Sequence, residues 1–368
     1  MANYWKNKTV FVTGATGLMG GWLIKALLRE QAEVVALVRD QAPRSMLVRE
    51  GLIQRIAVVH GDLESLPTMQ RAIAEYQPHT VFHLAAQPLV QVAKLNPVGT
   101  LRANVMGTWN VLEACRLSGK SQVVVASSDK AYGANANLPY LETHPLQGRY
   151  PYDVSKSCAD LITQMYAATY GLKTAIARCG NLFGGGDLNF SRTIPGVIQA
   201  TLNGEPFVIR SDGKFIRDFL YVKDAAECYL ILGERLADIS PEIPSISGEA
   251  FNFSLGLRLT VLDIVNMTLK IMDRTDLEPV IRNIASSEIR EQYLDASKAR
   301  ELLEWSPRYG MEEALRETIA WYKAELSRRE APAEIGASEI SAVHPEIPEE
   351  QSSHETPAEQ SSYETSVE

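Results

Sequence analysis

Apolar positions in the first half of the chain recur in two rhythms. Short runs rich in β-branched residues, at 9–12, 33–38, 56–59, 80–83, 122–126 and 173–177, are apolar almost throughout. Between most of them, segments 18–30, 68–76, 97–117 and 154–170 carry apolar residues at helical spacing. A strand that is apolar on both faces must be covered on both faces, and an intervening helix brings the next strand back parallel. The pattern therefore predicts an α/β fold for residues 1–185, a doubly wound parallel sheet.

After residue 185 the rhythm loosens. Helices are expected at 191–202, 223–236, 260–272, 296–303 and 311–326, with short strands at 207–209 and 219–222. Residues 186–328 read as a smaller, mixed α/β substrate domain on the C-terminal side of the first, with strands free to return to the main sheet. From 331 the composition shifts to Glu, Ser, Pro and Thr, and EQSSHET at 350–356 recurs as EQSSYET at 359–365. So little apolar surface cannot offset the entropy of ordering. A disordered acidic tail is expected over 331–368.

That tail locates the charge. The 368-residue chain has a net charge of −9, but nine Glu and no Asp, Lys or Arg fall in the tail, leaving 36 of each sign before it. Neither part carries a basic stripe, so nucleic acid is not an expected partner. Hydrophobic content of 45% is ample for a core. No apolar run approaches the ~20 residues that span a bilayer, and the N-terminus enters a strand without a signal-type apolar stretch. The cysteines Cys115, Cys158, Cys179 and Cys228 are widely spaced and form no metal-type pair. They read as reduced thiols of a cytoplasmic protein, and no metal is expected.

The first strand runs into TGATGLMGGWL, where Gly14, Gly17 and Gly20 precede a helix. Glycines at this spacing permit a tight turn, close approach to a pyrophosphate, and close packing of helix on strand. The uncapped N–H groups of the helix start favour phosphate. In a βαβ context this is a Rossmann-type dinucleotide site. Asp62 and Leu63 follow the third strand, where a carboxylate can approach the adenine. Leu84, Ala85 and Ala86 end the fourth strand with small residues where a cofactor passes. At the end of the second strand, Asp40 suits a ribose hydroxyl and Arg39 a 2′-phosphate. The two point to different cofactors, with NAD preferred and NADP left open.

Tyr152 and Lys156 lie four apart at the opening of a helix, hence on one face. A phenol, with pKa near 10, is a poor base at neutral pH. A lysine cation close by, with an oxidised nicotinamide, favours the phenolate. Upstream, Ser127-Ser128-Asp129-Lys130 ends the central strand, where α/β folds place ligands.

Together, TGATGLMG, GDL, HLAAQP, NVMGT, SSDKAYG, YDVSK, RCGN, RDFLYVKD and the REQYLDASKAREL stretch with its following W-x-P resemble the extended short-chain dehydrogenases, in the nucleotide-sugar epimerase/dehydratase group. The resemblance covers roughly residues 6–325. It implies a nucleotide-diphosphate hexose substrate, a homodimer built on helices 97–117 and 152–170, and further contacts. Thr16, Leu18, Met19, Asn104 and Cys179 join Tyr152 and Lys156 around the cofactor. Gln87, Asn181, Arg192, Arg217 and Arg290 join Ser128 around the substrate. An acid followed by a second acid–base residue, Asp129-Lys130, resembles the 4,6-dehydratases, and Asp-Lys resembles those acting on CDP-glucose. There, hydride leaves C4, water is lost across C5–C6, and hydride returns to C6. Elimination needs a proton donor and an acceptor beyond those of epimerisation. Asp129 is the expected acid, Lys130 the C5 base, and Ser128 a hydrogen bonder to the 4-oxygen. Ala131-Tyr132-Gly133 continues as in the 4-epimerases, the alternative reading on the same scaffold. A non-catalytic dinucleotide-binding regulator is the third.

Overall fold

Six β-branched runs form strands: β1 (Thr9–Thr13), β2 (Glu33–Val38), β3 (Ala57–His60), β4 (Thr80–His83), β5 (Gln122–Ala126) and β6 (Thr174–Cys179). Seven helices alternate with them: α1 (Leu18–Arg29), α2 (Met46–Arg49), α3 (Leu66–Tyr76), α4 (Val90–Leu95), α5 (Pro97–Leu101), α6 (Gly107–Ser118) and α7 (Pro151–Tyr170). The remainder comprises β7 (Asn181–Phe183), α8 (Thr193–Leu202), β8 (Val208–Ile209), β9 (Ile216–Arg217), β10 (Phe219–Tyr221), α9 (Val222–Ala237), β11 (Glu249–Phe253), β12 (Leu259–Thr260), α10 (Val261–Ile271), β13 (Val280–Ile281), α11 (Ser297–Leu303) and α12 (Met311–Glu330). The computed structural model describes residues 4–238, 240, 242–284 and 289–330, so the expected acidic tail lies outside the described residues.

One seven-stranded parallel sheet, in the order β11-β6-β5-β4-β1-β2-β3, organises the described residues up to Arg328, which cluster as one compact unit. Alternation along each strand sorts side chains between the two faces. On β1, Val10 and Val12 join Leu23 and Ile24 of α1 and Leu232 of α9. Phe11 joins Met69 of α3 and Val111 and Leu112 of α6 on the other face. Burying each large apolar side chain contributes about 1.5–3 kcal/mol, which is why these strands lack a polar face.

The strand order reverses between β1 and β4, the crevice where such sheets hold ligands. Thr13 and His83 are register partners there, so the loops that begin at Gly14 and Leu84 leave the sheet side by side. The C-terminal half adds β11 beside β6 and three small two-stranded sheets. There Val197 of α8 and Val265 and Leu269 of α10 pack on Ile209.

Two local outcomes differ from the sequence pattern. Segment 97–117 is not one regular helix: between α5 and α6 a π-helical turn covers Arg102–Met106, with Gly107 N–H bonded to the Arg102 carbonyl. The widened turn carries Asn104, whose side chain is fully engaged, as described below. Strand β11 gave no clear signal, because Glu249 and Asn252 interrupt its apolar run; Asn252 is nevertheless buried, its amide bonded to the Tyr140 carbonyl. Among the described residues, no helix is long and apolar enough to cross a membrane.

Candidate active site

The turn from β1 into α1 leaves no room for side chains. Gly14 has φ +73°, and a Cβ there would sit 2.7 Å from the Ala85 nitrogen. A Cβ on Gly20 would lie 2.1 Å from the Gly14 carbonyl oxygen. Gly17 is the N-cap of α1 and brings no side chain to cap it. A backbone cradle that a Cβ would fill, opening on an uncapped helix start, fits the pyrophosphate of a dinucleotide. Thr16 and Leu18 are half-buried around the turn, while Met19 is buried in the core beneath it. Leu63 is buried in close contact with Gly107, and an Asp62 carboxylate oxygen accepts the Glu64 N–H at 2.9 Å. At the end of β2, Arg39 Nε donates to Asp40 Oδ2 at 2.7 Å. The guanidinium that a 2′-phosphate would need is thus engaged by its neighbour, both side chains being exposed.

Behind the cradle a hydrogen-bonded chain crosses the switch point. The Thr108 hydroxyl donates to the Asn104 carbonyl at 2.6 Å, so it accepts from His83 Nε2 at 2.9 Å. His83 Nδ1 is then the acceptor of the Thr13 hydroxyl at 2.8 Å, and that hydroxyl oxygen accepts the Ala85 N–H at 3.2 Å. This donor accounting assigns the neutral tautomer. Burial, aided by the charge of Lys156, lowers His83 to about 3 and keeps it neutral. Asn104 holds the next layer. Its Oδ1 accepts the Gln87 N–H at 2.7 Å, and its Nδ2 donates to the Gln87 carbonyl at 3.1 Å and to Ser155 Oγ at 2.8 Å. Its side chain thus ties the loop after β4, with Leu84 and Ala86, to the first turn of α7. Gln87's own side-chain amide donates to the Leu89 carbonyl.

At the end of β5 the chain turns through a short 3-10 helix, Asp129–Tyr132, capped by Ser128. Ser128 Oγ accepts the Lys130 N–H at 3.2 Å and donates to Asp129 Oδ1 at 3.0 Å. Asp129 is buried, and its Oδ2 has no hydrogen-bond partner among the described residues. Pro151 in the first turn starts α7 and presents Tyr152 beside this group. Burial and then the Asp129 carboxylate push the Tyr152 phenol up, against hydrogen bonding with Ser128 and the charge of Arg192. Lys156 is buried, donates to the Ala126 carbonyl at 2.8 Å, and is lowered by burial to about 8. The five candidate catalytic residues are thereby gathered at one strand end. Lys130 Nζ donates to Gln292 Oε1. Tyr132, in the segment shared with epimerases, is buried: it stacks on Tyr140 and its hydroxyl meets Asn252 and Arg178.

A cleft of about 220 Å³ is lined by Asn181, Arg192 and Arg217 together with Arg210, Phe207 and Phe215. Arg192 is braced by Asp187 at 2.7 Å and the Leu182 carbonyl, and Arg217 by the Ile216 carbonyl at 2.9 Å. Arg290 adjoins the cleft, its guanidinium 5.8 Å from the Phe215 ring centre and bonded to Asp212. Arginine forks beside aromatic rings suit a diphosphate next to a base. Cys179 is buried at the end of β6, its thiol raised by burial. A larger cavity of about 490 Å³, lined by Tyr4, Lys8 and Lys173 among others, lies at the opposite ends of the strands, away from this chemistry.

Sequence reasoning missed Asp153, Asp218, Gln292, Arg210 and the two cleft phenylalanines. Asp153 stands inside YDVSK, where an acid between the tyrosine and lysine looks like helix surface; it is buried and raised by burial to about 6. Asp218 and Gln292 lie beside Arg217 and Arg290 in segments that resemble the family, but they reach the site only through the pairing of loops, which local spacing does not show.

The glycine cradle at a parallel-sheet switch point, with a Tyr-Lys pair at the end of the central strand, defines a dinucleotide-dependent dehydrogenase of the short-chain type. Residues 10–247 match the NAD dependent epimerase/dehydratase family, and the chain belongs to that family. It is 32% identical to a CDP-glucose 4,6-dehydratase of Salmonella typhimurium, over 88% of this chain and 92% of that protein. It is 28% identical to a dTDP-glucose 4,6-dehydratase of Xanthomonas campestris pv. campestris, over 85% of this chain and 93% of that one. Among solved structures, a UDP-glucose 4-epimerase of Thermotoga maritima with UDP-glucose superposes with a TM-score of 0.78 at 26% identity, covering 86% of this chain and 99% of that one.

Proposed function

We propose that the chain is a nucleotide-sugar 4,6-dehydratase, with CDP-glucose the first substrate to test. The observation that carries this reading is Asp129: a buried carboxylate with an unpartnered oxygen, beside Tyr152 and adjacent to Lys130. Epimerisation at C4 moves one hydroxyl proton and leaves such an acid unused. The chemistry that bound NAD supplies is hydride acceptance at C4 and hydride return at C6. Gly14, Gly17, Gly20 and the start of α1 would hold its pyrophosphate, and Asp40 its ribose. Tyr152 takes the 4-hydroxyl proton while Ser128 hydrogen-bonds the same oxygen. A 4-ketone acidifies C5; Lys130 removes that proton, Asp129 protonates the departing 6-hydroxyl, and water leaves; when hydride returns at C6, the Lys130 ammonium, exchanged with solvent, gives C5 a proton back.

Incubation with CDP-, dTDP-, UDP- and GDP-glucose in deuterated water tests the reading. The expected product is a 4-keto-6-deoxy sugar with deuterium at C5. A product inverted at C4 that keeps its 6-hydroxyl would instead assign the epimerase reading, which the likeness to the Thermotoga enzyme supports. Asp129→Asn should slow elimination by about 100-fold while C4 oxidation stays measurable by cofactor absorbance.

The quaternary proposal is a homodimer. Trp109 on α6 and Leu161 and Met165 on α7 are exposed, and these two helices pack side by side. A four-helix contact with a second copy would cover them, and Trp109→Glu should yield monomers in sedimentation. The four cysteines are unpaired thiols, which supports a reducing, cytoplasmic setting.

A further inference from the structure

Gln292 approaches the acid–base pair from a segment the reaction has not yet used. Its backbone is fixed on both sides: Gln292 N–H donates to the Ile216 carbonyl at 3.2 Å, and Leu294 N–H to Asp218 Oδ2 at 2.9 Å. The Tyr140 N–H is bonded to the Tyr293 carbonyl at 2.9 Å. The side chain is fully buried. Its Oε1 accepts from Lys130 Nζ, while its Nε2 is buried with no hydrogen-bond partner among the described residues. Folded proteins seldom leave such a donor unmade, and those that persist usually await a ligand or an ordered water. The neighbouring Asp129 Oδ2 is an unmade acceptor. One unmade donor and one unmade acceptor, on residues adjoining Lys130 in space and in sequence, are what a hydroxyl group can satisfy together.

We propose that Gln292 is a positioning residue for elimination: its carbonyl oxygen aims the Lys130 amine at C5 of the hexose, and its amide donates to a hexose hydroxyl. This rests on the dehydratase reading. An amide suits the task because it holds the amine without adding a negative charge. A carboxylate in its place would favour the ammonium and retard proton abstraction. Several titratable groups among the described residues surround the amine. Asp129 precedes it on the short helix. Asp153 on α7 is pushed up by burial, with Lys130 opposing. The phenols of Tyr140 and Tyr152 are pushed up by burial and then by Asp129, with the Gln292 side chain opposing at Tyr140.

Two variants of the full chain, Gln292→Glu and Gln292→Leu, separate this role from a structural one. C4 oxidation is read by cofactor absorbance, and elimination by 4-keto-6-deoxy product and C5 deuterium incorporation, from pH 5 to pH 9. Gln292→Glu, nearly isosteric, should move the acid limb of the elimination profile up by about one unit, a roughly tenfold loss at the limb. Gln292→Leu should slow elimination by about 10- to 100-fold and leave C4 oxidation within about threefold. If the leucine variant does not fold, the glutamate profile decides alone. Equal loss of both steps, or an unmoved profile in Gln292→Glu, overturns the assignment while wild-type elimination stands. A wild type that forms no 4-keto-6-deoxy product from any nucleotide hexose overturns the dehydratase reading, and this role with it.

Discussion

Asp218 offers a quantitative test of how the substrate half is fastened to the sheet. The carboxyl is fully buried; its Oδ2 accepts from Ser254 Oγ at 2.6 Å and from Leu294 N–H at 2.9 Å, while Oδ1 has no partner among the described residues. Its backbone carbonyl also receives the Asn181 N–H at 2.7 Å. Burial raises the carboxyl from 3.8 to about 7, the two donors opposing and Asp129 adding to the rise. Because the folded value lies above the unfolded one, the native state keeps a proton that the unfolded chain has lost between about pH 4 and pH 7. Stability therefore falls as pH rises through that window and is fully depressed above it. Three units at 1.36 kcal/mol each withhold about 4 kcal/mol at alkaline pH, of which only about 1–2 kcal/mol is already lost at pH 5. Asp218→Asn keeps a carbonyl for Ser254 and Leu294 and has no charge to bury. Urea unfolding of both proteins at pH 5 and pH 8.5 should show the difference shifting in favour of the variant by about 3 kcal/mol at the higher pH. A difference independent of pH, or one moving toward the wild type, would refute the assignment of a raised, unpaired carboxyl.

Other changes probe the cofactor cradle and the buried charges. Gly20→Ala places a Cβ 2.1 Å from the Gly14 carbonyl oxygen, which is backbone and cannot swing aside. A stability loss of about 1–3 kcal/mol and a large loss of NAD affinity by calorimetry are expected, and normal affinity would show that the turn yields. Lys156→Met should cut C4 oxidation by about 100-fold or more without lowering stability at pH 7. The lowered lysine, about 8 against 10.5, costs the folded state about 3 kcal/mol below pH 8, a penalty the wild type sheds as pH rises from 8 toward 10.5. Denaturation at pH 7 and pH 10 checks both the sign and the window. Arg178 and Asp160 form a buried two-pronged pair, both bonds at 2.9 Å. Arg178→Met leaves a buried carboxylate uncompensated and should cost about 3–5 kcal/mol, most of it recovered when Asp160→Leu is added.

The sheet, its parallel sense and the dinucleotide turn were legible in the sequence because each is dictated by local pattern. Apolar runs such as Val123-Val124-Val125 admit no exposed face, and a turn with no room for Cβ atoms admits only glycine at Gly14 and Gly20. Tyr152 and Lys156 were legible for the same reason, since four residues on a helix fix a shared face. Tertiary structure decided the rest. Whether Asp129 is a surface charge or a buried acid depends on what covers β5, and the covering comes from α7 and the 289–296 segment. Asn104 is a hub only because a π turn aims it between Gln87 and Ser155. Arg39 and Asp40, opposed as cofactor signals, prove to be bonded to each other. Gln292 lies in a segment that resembles the family, two residues from Arg290, but nothing local singles it out as a partner of Lys130. It meets Lys130 because the chain returns across some 160 residues, and contacts of that range are set by how sheets and loops pack rather than by local spacing.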